Sequence, residues 1–116
     1  MRTPLLDRRC SWTQKVKMGG QTFYATFGEY DDGTLGEVFI DASKQGTFLR
    51  GILGAFARSI SLALQCGATS NEVVKMLRGL DFPPNGPVMG TPVMQETTSL
   101  VDWIAAEIEA VYGDEG

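Results

Sequence analysis

A chain of 116 residues, 43% apolar and 21% charged, has room for one domain around one modest core. Its formal charge of -4 argues against DNA or RNA as a polymer partner. It has no histidine and only Cys10 and Cys66, which excludes Ser–His and Cys–His nucleophile pairs within one chain and leaves no usual zinc site.

Residues 1–10 read as an extended arm containing Pro4, ordered only against a partner. Its Arg8 and Arg9 either clamp a neighbour's ligand or decorate the arm. From Trp12 the pattern alternates, with Trp12, Gln14, Val16 and Met18 on one side and Thr13, Lys15 and Lys17 on the other, which predicts a strand. Gly19-Gly20 supplies a turn. A second strand over 21–30 sets Phe23, Ala25 and Phe27 opposite Tyr24, Thr26 and Tyr30. Asp31-Asp32-Gly33 turns the chain again, and a third strand follows from Leu35 to Ile40. The strands of 12–42 thus form a three-stranded antiparallel meander. One face is expected on the long helix, the other on a second subunit.

Helices fill residues 47–112. The longest spans Thr47 to Gly67, with Phe48, Leu49, Ile52, Leu53, Phe56, Ile60 and Leu64 as a broad apolar face meant for the core. Its thin side carries Gly51, Gly54, Ala55 and Arg58; two interior glycines cost about 1 kcal/mol each relative to alanine. Arg58 is a phosphate candidate, or else it pairs with a carboxylate such as Asp102. Arg50 and Lys44 flank the start of this helix and either serve the same ligand or are solvated. Thr69 to Glu72 matches a capping box for a second helix that stops at Gly79. The proline-rich stretch from Leu80 to Pro92 cannot be regular throughout. In it, Phe82 offers a surface for stacking a base, Asn85 a reader of an adenine edge, and Gly86 close backbone approach; Phe82 as a core plug is the alternative. A third helix starts near Thr97 or Thr98 and fades at Gly113. No apolar run reaches the roughly 20 residues of a membrane span, Met1 to Lys17 is too mixed for a secretory signal, and the isolated cysteines suit a cytoplasmic protein.

Several motifs in fixed order resemble one known module. Arg8-Arg9, Thr13 to Lys17, Gly19-Gly20, Phe23-Tyr24, Glu29 to Gly33, Glu37 to Ile40 and Arg58 to Gln65 are similar to the TSCPD domain, which closes many adenosylcobalamin-dependent ribonucleotide reductases. The similarity covers about Leu5 to Gly79 and continues weakly into the third helix. The chain is too short for a reductase barrel and lacks paired redox cysteines, so the resemblance implies the module and not ribonucleotide reduction. In size and layout the chain also resembles, more weakly, the phage Thoeris anti-defence proteins that sequester cyclic ADP-ribose isomers and cyclic oligonucleotides.

The expectation is therefore a single α+β domain over 1–116, three strands then three helices in two layers. It would bind without catalysis, metal or cofactor, as a homo-oligomer: a dimer or a higher assembly such as a hexamer, away from membranes. The leading function is sequestration of a small nucleotide signal by Arg58, Phe82, Asn85, Gly86, Arg50, Lys44, Arg8 and Arg9. The alternative is an accessory or regulatory module of an adenosylcobalamin-dependent reductase, binding protein rather than nucleotide.

Overall fold

The computed structural model describes residues 2–43 and 46–113. The three expected strands are β1 (Ser11–Met18), β2 (Gln21–Glu29) and β3 (Leu35–Ala42). They pair antiparallel, Val16 opposite Phe23 and Phe27 opposite Val38. This register puts Val16, Met18, Phe23, Ala25, Phe27, Val38 and Ile40 on one buried face, joining sets that alternation separated within β1 and β2 and deciding which side of β3 they share. The other face is mostly polar. Thr13 and Thr26 share a hydrogen bond of 2.7 Å, and Lys15 Nζ lies 5.9 Å from the centre of the Tyr24 ring. Among these three strands Phe39 is the exposed large apolar side chain of this face.

Two short strands extend the meander: β4 (Gly86–Met89) and β5 (Glu96–Thr97), giving the order β3-β2-β1-β4-β5. They lie at and beyond the stretch read as irregular. Strands of four and two residues, one holding Pro87, are too short to show a period. Three helices complete the α+β fold: α1 (Thr47–Gln65), α2 (Ser70–Leu77) and α3 (Leu100–Tyr112). Their buried residues join those of the sheet in one cluster, so the helices cover one face. The Thr69–Glu72 capping box forms in both directions. Helix α3 is capped by Ser99, whose hydroxyl accepts from the Asp102 N–H, so the helix begins at Leu100, two or three residues later than expected.

The helix at the centre of the core is α3, not α1. Trp103, Ile104, Ala105 and Ile108 are wholly buried. Of the 19 residues of α1, only Leu53, Ala57, Ile60, Leu64 and Gln65 are buried. Phe48 and Ile52, expected inside, are 81% and 52% exposed. The apolar residues of α1 run most of the way round the cylinder, so their spacing alone could not decide which side is buried. By length and composition α1 also passes as a membrane span, with mean hydropathy 1.3 and 22% of the window buried, which amends the expectation that no stretch would.

Helix α1 flanks β3, which ends the sheet. Ser61 Oγ accepts from the Val38 N–H at 2.9 Å and donates to the Val38 carbonyl at 3.1 Å. Four residues on, Gln65 Nε2 donates to the Gly36 carbonyl at 3.1 Å. These side chains answer backbone groups on the open side of β3, where another strand would otherwise add.

Candidate functional site

Two surfaces meet around the β3 edge. The first is the seat of the arm, which is ordered on its own chain rather than waiting for a partner. The Thr3 N–H donates to the Gln65 carbonyl at 2.7 Å, Arg2 Nε to Gln65 Oε1 at 2.6 Å, and the Tyr30 hydroxyl to the Thr3 carbonyl at 2.6 Å. Arg9 pairs with Glu37 at 2.6 Å and also donates to the Leu6 carbonyl. Glycines make room for this layer. A Cβ at Gly28 would run into the Glu37 carboxylate, and one at Gly36 would lie 2.8 Å from both Leu5 and Tyr30. A glycine inside a strand marks close approach from outside. Gly28 and Gly36 were therefore the sequence signal for a seated arm, and for roles of Glu37, Tyr30 and Gln65 that residue type alone did not reveal.

The second surface is the outer side of α1 with the groove beside it. The groove holds about 530 Å³ and is lined by Arg2, Glu37, Phe39, Ala55, Arg58, Ser59, Ser61, Leu62 and Gln65. Phe48, Gly51, Ala55, Arg58, Ser59 and Leu62 are exposed along the helix. Arg58 has no hydrogen bond or ion pair among the described residues.

The other predicted site residues are dispersed. Arg50 is held by Asp41 at 3.0 and 3.4 Å, and this pairing holds the Asp41 carboxyl below its ordinary value. Arg9 is taken by Glu37, and Arg8 is exposed on the arm. Lys44 lies outside the described residues. Phe82 is 44% exposed, so it is no core plug; its N–H donates to the Thr98 carbonyl. Asn85 Nδ2 donates to Asp81 at 3.1 Å, and Gly86 opens β4 with φ at 96°. One chain does not bring Phe82, Asn85 and Gly86 to Arg58. The former lead into β4, the latter flanks β3, and three strand spacings, roughly 14 Å, lie between those strands. Nor does Arg58 pair with Asp102. That carboxylate accepts from the Gly79 N–H and the Thr97 hydroxyl at 2.8 Å each and faces Arg78 at 3.6 Å. Burial would raise its pKa, but those donors and the Arg78 charge outweigh burial and hold it below the ordinary value.

Two further polar groups are likewise matched from within, whereas the buried Gln21 Oε1 has no hydrogen-bond partner among the described residues. Tyr112 donates to Glu29 and accepts from the Trp12 indole N–H at 2.8 Å; burial first, then Glu29, pushes its phenol well above the ordinary value. Glu107 accepts from Thr91 and, at 2.9 Å, from Trp103. No group of three or more His, Cys, Asp or Glu able to hold a metal occurs among the described residues.

Comparison with known proteins decides the family. The TSCPD domain matches residues 4–112. This chain belongs to the TSCPD family. The match continues through α3, further than the quoted motifs reach. The chain is 41% identical over 111 residues to a vitamin B12-dependent ribonucleotide reductase of Bradyrhizobium diazoefficiens, covering 96% of this chain and 9% of that protein. Against the enzyme of the same name from Agrobacterium fabrum it is 38% identical over 111 residues, with the same coverages. A third, from Streptantibioticus cattleyicolor, is 36% identical over 92 residues, 79% of this chain and 15% of the relative. The TSCPD chain thus spans about a tenth of the length of the first two relatives. No solved structure matches it. These relatives overturn the expected phage anti-defence sponge for cyclic nucleotides: they bear the name of a reductase, and none of them that of a nucleotide-sequestering protein.

Proposed function

We propose that this TSCPD chain serves as a non-catalytic accessory or regulatory module of an adenosylcobalamin-dependent ribonucleotide reductase, engaging protein rather than nucleotide. The observation that carries the reading is the similarity over 96% of the chain to proteins named vitamin B12-dependent ribonucleotide reductase. Two features of the chain support it. Its arginines are dispersed or internally paired, so among the described residues the arginines form no cluster around a phosphate site. Helix α1 presents an uncovered face with the exposed apolar side chains Phe48, Ile52 and Leu62, the kind of surface proteins present to one another.

Calorimetric titration of the chain tests this directly. Heat is expected with the full-length B12-dependent reductase of the same source cell and none with dATP or a cyclic dinucleotide. Saturable binding of either nucleotide, with no response to the reductase, would refute the reading.

A further inference from the structure

The outer side of α1 is an uncovered helical seam. Phe48, Ile52, Ala55, Ser59 and Leu62 follow one another at spacings of four, three, four and three, the step of helix–helix packing. Phe48, Ile52 and Leu62 are 81%, 52% and 51% exposed. Arg58 is the single charge along this seam. We propose that the seam is the docking face for a helix of a reductase catalytic chain, and that a carboxylate of that helix pairs with Arg58. The proposal rests on the reading above and assigns its contact surface.

The chemistry of the partner follows from the two walls of the seam. A strand is a poor occupant, because Ser61 and Gln65 already hold the backbone groups of β3 at Val38 and Gly36. A helix fits. Gly51, Ala55 and Ser59 lie four residues apart, and a Cβ at Gly51 would meet nothing within 4 Å, so another backbone has room to come close between the large residues at the ends. A second copy of the chain fits less well. Helix α1 contains no Asp or Glu. The nearby carboxylates Glu37 and Asp41 are held by Arg9 and Arg50, so a second α1 would bring another Arg58 and no acid to meet it. In the first two relatives the matching segment is 9% of the protein, so there a far larger polypeptide is at hand to cover this face.

The test is sedimentation velocity of the full chain with the full-length B12-dependent reductase of its source cell. Ala55→Glu should weaken the complex at least about thirtyfold, as expected for a charge placed at the centre of an interface. Arg58→Glu should weaken it about tenfold, while Lys75→Glu on the exposed side of α2 should leave it within about twofold. Gly51→Leu adds bulk to the same face without charge and replaces Ala55→Glu if that variant fails to fold. A reductase complex indifferent to Ala55→Glu and Gly51→Leu would overturn the surface while leaving the accessory reading intact. No complex with the wild-type chain would overturn both. A wild-type dimer made monomeric by Ala55→Glu would give the seam to a second copy. Flotation with phosphatidylglycerol vesicles, abolished by the same change, would give it to a membrane. Either result overturns the proposal.

Discussion

The two sides of the β3 edge solve opposite problems. At the arm, each named polar atom has an answer from within the chain: Thr3 and Arg2 from Gln65, Arg9 from Glu37, Tyr30 from Thr3. Along α1, large apolar side chains face outward and Arg58 has no partner among the described residues. Both sides run through Gln65, whose side chain ties down the arm and caps β3 from the last turn of α1. Cationic residues of similar type therefore stand in different settings. Arg9 is a structural clasp, and Arg58 has no hydrogen bond or ion pair among the described residues.

This contrast predicts which changes damage the fold and which damage only contact. The largest loss of stability should follow Asp102→Ala, about 3 kcal/mol by chemical denaturation, because it strands the Gly79 N–H, the Thr97 hydroxyl and the Arg78 charge. The pH dependence has a definite sign. The folded carboxyl lies below its unfolded value, so its contribution is complete above about pH 4 and is lost as pH falls through the lowered folded pKa. Acid titration of Asp102→Asn should lack that segment of the curve. A variant that melts in acid like the wild type would contradict this account of Asp102.

Gln65→Ala should come next, at about 2 kcal/mol, since it removes a buried side chain bonded to both the arm and β3. It should also expose the bonds after Arg8 and Arg9 to trypsin; an unchanged cleavage rate would mean that the arm is held by other contacts. Gly51→Ala should act in the other direction. Its Cβ meets nothing, so the isolated chain should gain about 0.5–1 kcal/mol in thermal denaturation, even though the seam is partly filled. A loss of stability would show that the seam is already occupied within the chain. The smallest effect should be Ala55→Glu, within about 0.5 kcal/mol on folding, as suits an exposed helical site.

The sequence made part of this legible. Alternation separated the two sides of β1 and of β2, and the Thr69–Glu72 spacing set the start of α2, because both signals are local; which side of β3 joins the core depends on the pairing itself. Strands β4 and β5 escaped notice because neither has enough residues for a period. The partner of Arg9 stands 28 residues away in sequence and was out of reach of any spacing argument, although Gly28 and Gly36 marked where the arm would lie. Helix α1 misled for a physical reason. A helix apolar on most sides announces that it will be covered, without saying which side its own chain covers. The small residues Gly51 and Ala55 therefore marked the outside of the molecule and not a tight spot within it.

The most direct measurement is hydrogen–deuterium exchange of the chain alone and with the B12-dependent reductase of its source cell. The account predicts slower exchange across Thr47 to Gln65 in the complex and no change from Phe82 to Met89. Protection confined to Phe82 to Met89, or absent everywhere, would contradict it.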